Sequence, residues 1–561
     1  MPTLYLTPAS LSYLAQFVLA LIITAYLLYL SLRPASPGGK PAHVALITGF
    51  FAGFTIYLLL LFLETALLPG DRLFATYLQI IPLTLGLVCL IQFAYRYPAS
   101  APEQKWERRA ALILTLSYAL WESWYALVRL RLLLTEGRVR FRHDYADIFL
   151  VIIFLWTPLM LLRQSVRASA EAAALDPSSR HFHPSSLILH PFSWLRHLWR
   201  PQGQAARTAR ALALVYLLPF ALSLIWLANS YFVVSVGTTN ILFSLGILSA
   251  LFAFAHVYLN ILPETTIMVK VAGAALVTVL AVLSVVGWAV GPLFAGQYPE
   301  DRIPERQTLR FTPNAAGGYD AAAMPFHFDP AGEQQGDFGN GDLATPLPFA
   351  FPFYDQAWQE VYISVFGAVS FGRAWDYWDF EYRYGTAPGI VPLPPTPGYW
   401  PLGGTQVLLA SQADKVTITW RQSAEDRPAA AAFTAQLILY PSGVFEITYD
   451  HIPAGTSRTF WAAGVIAGAP AHTPRQVDLF DGLPLSGGPE GIVHDGYRAF
   501  RGYLHRMLSP LAYLIAGSAL LIVVGLPVFL HFNLVRPLEA LLKGVRQVDA
   551  GDLKVEMPVE F

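Results

Sequence analysis

Apolar runs long enough to cross a bilayer, about 20 residues each, recur nine times in this chain. They lie near 11–32, 44–68, 73–95, 110–133, 145–162, 211–231, 235–259, 267–294 and 508–532. Between the eighth and the ninth, over 296–505, Gly, Pro, Asp and aromatics rise and no run is long enough to span. There the apolar period shortens to two, in Val361–Val365, Lys415–Trp420, Phe433–Tyr440 and Phe445–Tyr449. The last two runs are separated by Pro441-Ser442-Gly443, a tight-turn sequence that predicts a hairpin. Period-two patterning with one polar face predicts an antiparallel sandwich. After the ninth run the period changes again. Leu538, Leu541, Val545 and Val548 stand three and four apart, the a/d seam of a parallel coiled bundle. Pro537 fixes the start of that helix, and Gly551 breaks it after the seam.

The expected architecture is therefore a polytopic α-helical membrane protein of about nine spans with an all-β sandwich and a C-terminal parallel coiled-coil helix. Its parts are a seven-helix membrane region over 1–262, an eighth span over 263–295, the β domain over 296–505, a ninth span over 506–532 and a tail over 533–561. Composition agrees: 55% of residues are hydrophobic and 13% charged, with a mean hydropathy of +0.45, where a soluble chain carries about 25% charged residues. The net charge of −1 argues against a nucleic-acid partner and leaves the lipid bilayer as the main one. The one cysteine, Cys89, lies in an apolar run and reads as a small core hydrophobe, so there is no disulfide framework.

Residues Met1–Ser10 are neutral and show no small-residue cleavage site, so the first helix is expected to be retained with its N-terminus outside. Alternation then places Arg33/Lys40, Arg96/Lys105/Arg108/Arg109 and the arginine-rich 163–210 loop in the cytoplasm, as the positive-inside bias requires. Arg131, Arg138, Arg140 and Arg142 run against it. The β domain is then expected to be extracytoplasmic and the C-terminus cytoplasmic.

Two stretches carry family resemblances. Arg536-Pro537-Leu538, the heptad helix, Gly551-Asp552-Leu553 and then Pro558 resemble the first half of a HAMP signalling linker; the acidic second helix of that family does not follow before Phe561. The resemblance implies the sensor portion of a longer bacterial two-component receptor of the histidine kinase or cyclase type. It also implies a homodimer through that helix, and signal relay by Pro537, Leu538, Leu541, Val545, Val548, Gly551 and Asp552. Helix number, topology and position make 1–262 similar to the seven-helix regions of such receptors. In the β domain, Pro348–Tyr354 followed by Val361–Phe371, then the Val-Thr-Ile-Thr-Trp strand, the Leu439–Tyr449 hairpin and Trp461–Val465, resemble nidogen-like sandwich domains over roughly 345–468. The likeness departs at Ile390–Pro395, where that family has a tryptophan and an acidic pair.

Catalysis is not expected in this chain as it stands. There is no phosphate-cradling glycine loop, serine elbow or His-Glu-x-x-His, and no cofactor motif. The largest cytoplasmic segments, 163–210 and 533–561, are shorter than the ~150 residues of an output core. Trp121, Glu122, Trp124, Tyr125 and Arg129 in the fourth span form a candidate small-molecule or lipid-headgroup site, against the plainer reading of a structural interhelical pair. Glu64 and Asp147, near span ends, are expected to reach the interface. Trp375, Tyr377 and Trp378 are either a platform for an extracytoplasmic ligand or a cap on the sandwich. Asp329, Asp337, Asn340 and Asp342 have the oxygen density of a calcium loop, but turn chemistry explains them equally and no metal is assigned. The histidines 181, 183, 190 and 197 are too irregularly spaced for a metal and suit a basic loop against anionic headgroups. The competing classes are an anchored surface-binding or adhesion module and a transporter with an appended sandwich. The a/d seam directly below the last span favours a receptor over both.

Overall fold

A computed structural model describes residues 4–32, 42–136, 145–174, 197–230, 236–261, 267–298, 306–330, 332–334, 343–365, 367–375, 387–392, 405–422, 433–451, 462–468, 474–539 and 541–542. Among these, nine helical segments are long and apolar enough to cross a membrane, so the chain is a multi-pass helical membrane protein with an all-β domain. The helices are α1 (Pro8–Leu32), α2 (Ala42–Ala66), α3 (Pro69–Leu78), α4 (Ile80–Arg96), α5 (Lys105–Glu136), α6 (Tyr145–Ala174), α7 (Gln204–Ser230), α8 (Val236–Ile261), α9 (Ile267–Gly296) and α10 (Gly496–Leu520). The third span is broken in two at Gln79 because Pro82 has no N–H to donate and its ring crowds the carbonyl of Leu78.

Small residues set the crossing of α2 and α4. A Cβ on Gly53 would come within 2.5 Å of the Pro82 carbonyl, and one on Gly86 within 3.2 Å of the Phe50 carbonyl, so α2 and α4 touch backbone to backbone. Polar glue joins α1, α8 and α9 (buried hydroxyls gain most from partners inside the bilayer). Ser12 bonds the hydroxyls of Ser244, at 2.5 Å, and of Ser284. Gln16 donates to the Ser244 carbonyl at 2.9 Å, and the indole of Trp288 to its hydroxyl at 3.2 Å.

The β domain follows α9. One sheet runs β14 (Leu485–Ser486), β2 (Tyr319–Met324), β1 (Gln307–Pro313), β11 (Phe445–His451), β10 (Phe433–Leu439), β9 (Val416–Gln422), β8 (Thr405–Ser411), β3 (Glu333–Gln334). The other runs β13 (Arg475–Gln476), β15 (Gly491–Asp495), β12 (Ala462–Ile466), β7 (Gly389–Val391), β6 (Ala368–Phe371), β5 (Gln356–Ser364), β4 (Leu343–Phe353). The expected hairpin is β10–β11, closed by Gly443 at φ +81°. Inward side chains of both sheets, among them Phe311, Phe351, Phe371, Trp420 and Tyr449, form one apolar core. Within β12, Gly464 sits at φ +139°, where a Cβ would lie 2.1 Å from the Ile492 carbonyl, so only glycine lets β12 close on β15.

The last helix differs from expectation at its start. It begins at Gly496, directly after β15, not near 506. Asp495 caps it, its carboxylate accepting the Arg498 N–H at 2.8 Å. Beyond Leu520 it widens into π turns at Leu521–Gly525 and His531–Val535, on either side of α11 (Leu526–Leu530). Each π turn precedes a proline, Pro527 or Pro537, whose missing N–H and ring bulk a wider turn accommodates. Leu538 and Leu541 are 50% and 38% exposed in the single chain. Val545, Val548, Gly551 and Asp552 lie outside the described residues.

Candidate functional site

Helices α2 to α8 enclose a cavity of about 410 Å³, within the size range of small-molecule pockets. Its walls are mostly apolar and rich in aromatic rings, with Phe50, Phe51 and Phe54 from α2, Phe154 from α6, and Phe243 and Phe254 from α8. Among its polar residues, Glu64 lies near the end of α2, Arg129 about two turns before the end of α5 and Asp147 at the start of α6, with Thr76 and Gln79 at the α3–α4 break and Tyr216 and Ser223 on α7. Helix alternation puts these ends on the membrane face that also carries the β domain and the start of α10.

The geometry around these charges is specific. Thr76 donates its hydroxyl to Glu64 Oε1 at 3.0 Å, and Arg72 acts on the same carboxylate electrostatically. The Arg129 guanidinium lies over two phenol rings, 4.9 Å from the centroids of both Tyr77 and Tyr125, a double cation–π contact that lowers the cost of a buried charge. Asp147 is 8% exposed. Glu64 and Asp147, expected near the interface at the ends of their spans, both line the cavity wall.

The fourth-span cluster is divided by this arrangement. Arg129 lines the cavity, and Tyr125 supports it from the same helix. Glu122 is buried, but outside the lining. Trp121 and Trp124 point away from the bundle, 59% and 58% exposed, their rings 5.6 Å apart. Positions 121 and 124 lie on a different face of the helix from 122, 125 and 129, so the five side chains do not gather in one site.

In the β domain, Trp375 is 2% exposed, packs on Ala387 and Val391, and donates its indole N–H to the Ala387 carbonyl at 3.1 Å. It caps the sandwich; Tyr377 and Trp378 lie outside the described residues. Asp329 is also engaged: its carboxylate accepts from Lys415 Nζ at 2.5 Å, and its backbone pairs with the Gln436 amide. A carboxylate already matched by an ammonium is a poor calcium ligand. Among the described residues no His, Cys, Asp and Glu cluster has metal-site geometry. Asp337, Asn340 and Asp342 lie outside the described residues.

A second constellation was missed at the sequence level. Arg501, 3% exposed, reaches from α10 to the end of α2, donating to the carbonyls of Thr65 at 2.8 Å, Leu67 at 3.4 Å and Tyr5 at 3.2 Å. His505 Nδ1 accepts the Leu6 N–H at 3.2 Å, and Arg498 Nε donates to the Tyr5 hydroxyl at 3.2 Å. The signal was present: Arg498, Arg501 and His505 are three and four apart, one face of a helix. These charges had set the start of the apolar run too late.

Where β15 meets α10, burial pushes the Asp495 carboxyl up to about 6, while the N–H and the charge of Arg498 pull the other way. Folding therefore favours the protonated acid. The associated stability is complete below the ordinary carboxylate value of about 4 and is lost as pH rises through about 6. Asp495→Asn keeps the cap without a charge. It should raise the melting temperature at pH 7 and flatten its dependence between about pH 4 and 6; parallel pH-dependent melts of the two proteins test this.

No protein-family model, curated protein or solved structure matches this chain.

Proposed function

We propose that the chain is the input portion of a homodimeric transmembrane receptor of a bacterial inner membrane, its β domain extracytoplasmic and its tail cytoplasmic. In this reading the last helix passes displacement into a HAMP-like linker that governs an output domain, most simply a histidine kinase. The observation that carries it is mechanical: β15 runs into α10 with no linker, and the helix continues through its π turns to Arg536-Pro537. A sheet joined rigidly to a spanning helix moves that helix whenever it shifts. The HAMP-like residues at 536–553 and the nidogen-like pattern of the sandwich support the same reading, as does the arginine bias of the loops. Arg501 ties the helix to the bundle at Thr65, next to Glu64 of the cavity wall, so the seven-helix region is a second input on the same output. HAMP-type linkers switch between two packings of similar energy, so an input of a few kcal/mol suffices.

The seam can be tested directly. In a Cys89→Ala background, Leu538→Cys and Leu541→Cys should form disulfide-linked dimers in membranes much faster than Glu539→Cys. Equal rates at all three positions would refute a parallel seam, and with it the receptor reading in favour of an anchored binding module.

A further inference from the structure

The charges along the cavity wall already have partners. Glu64 accepts the Thr76 hydroxyl at 3.0 Å and is faced by the Gln79 amide and by Arg72. Arg129 lies over Tyr77 and Tyr125, and Asp147 and Tyr216 are engaged as well. The Ser223 hydroxyl donates within its own helix, to the Phe220 carbonyl at 2.7 Å. An ion entering this space would shed its water and find each opposite charge matched, which penalises it heavily. An uncharged molecule meets no such cost.

The rest of the wall favours one kind of uncharged molecule. More than a third of the residues lining the cavity are Phe, Tyr or Trp, against 14% in the whole chain. On α2 three of these rings form a row: Phe50 and Phe54 stack with centroids 5.7 Å apart, and Phe54 and Tyr57 at 5.9 Å. Trp226 of α7 and Phe243 of α8 form a second pair at 5.6 Å. A flat aromatic guest gains ring-to-ring attraction from such walls, beyond the burial that any apolar guest gains. The volume of about 410 Å³ is roughly two to three times the ~150 Å³ of a cavity that holds benzene, which suits two or three fused rings.

We propose that the cavity binds an uncharged, flat aromatic molecule of two or three fused rings, with Phe54 among the side chains that recognise it. Its effect on signalling, through Thr65 and Arg501, rests on the receptor reading; the binding does not.

The test uses the full chain in nanodiscs and four probes of equal carbon number: 2-naphthylmethanol, 2-naphthoate, 2-naphthylmethylammonium and undecan-1-ol. A ligand that binds only the folded state raises its melting temperature with concentration, here compared as mole fraction in the nanodisc lipid. The naphthyl alcohol should stabilise at a mole fraction about tenfold lower than undecanol, which makes no ring contacts, and about tenfold lower than either ion. Ala250→Trp, which fills part of the cavity, should abolish its effect. Phe54→Leu keeps an apolar wall and removes a ring, so it should narrow the margin over undecanol to about threefold. The melting temperature of each variant without probe shows whether it folds, and if Ala250→Trp does not, Phe54→Leu decides alone. Undecanol acting as well as the naphthyl alcohol would mean that lipid chains fill the cavity. That result, a preference for either ion, or a naphthyl preference unchanged in the folded variants overturns the proposal. None of these outcomes alters the cross-linking of the tail, so failure of the ligand and failure of the receptor reading are distinguishable.

Discussion

Trp420→Ala should destabilise the β domain by about 3–5 kcal/mol, the usual cost of deleting a buried indole. Trp420 is fully buried on β9, between Val407 of β8 and Ala435 of β10. Its Nε1–H crosses to the opposite sheet and donates to the Ser364 carbonyl at 2.8 Å. Truncation therefore opens a cavity in the shared core and removes one of the donors to the Ser364 carbonyl, which the Gly367 N–H also reaches at 3.2 Å. Trp420→Phe keeps much of the volume and loses the bond, so it should fall between. Urea unfolding followed by the far-ultraviolet β signal measures the series, and the order wild type, Phe, Ala is the expected result. An alanine variant within 1 kcal/mol of wild type, an estimate well below the range for such sites, would mean that the two sheets do not share this core.

Arg501→Met should have the next largest effect, about 2–4 kcal/mol, because one charged donor serves three carbonyls. Methionine matches the length of the aliphatic stem and removes the donor. The carbonyls of Thr65 and Leu67 then end α2 without that partner, at a place where water is scarce. Arg501→Lys restores charge at a single point without the planar fork and should recover only part of the loss. Heat-induced loss of the detergent-solubilised monomer peak in size-exclusion chromatography reads this directly. The same variant separates packing from relay: it should weaken the response of the tail to cavity occupancy while leaving the sandwich core intact.

Much of the architecture was legible because it depends on local periodicity. A bilayer-length apolar run has one stable outcome in lipid, a helix, and an alternating run closed by Pro441-Ser442-Gly443 has one natural partner. The strands that escaped notice lack those signals. β2 is Tyr-Asp-Ala-Ala-Ala-Met, low in β-formers, and β15 is buried along its whole length. The site was legible only in part. Arg129 declared itself as a charge inside an apolar run. Glu64 and Asp147 did not, because a residue near a span's end meets water, lipid or a cavity according to which helices cover it, and that is decided by tertiary packing. Trp375 shows the same limit in the sandwich: an aromatic cluster does not reveal which ring turns inward.

The bond from Arg501 to Thr65 spans 436 positions of sequence, and that separation orders the protein's biogenesis. The first helical hairpin, α1 and α2, enters the membrane early in synthesis. The donor that finishes its exposed end is made only after every other helix of the bundle and the whole β domain. Until then the junction at Tyr5, Thr65 and Leu67 is an incomplete surface at the membrane edge, and the nascent bundle is most open to chaperones and proteases in that interval. Folding of the earliest segment is thus completed last, and a ribosome that stalls within the β domain leaves a membrane region whose first hairpin has not been locked.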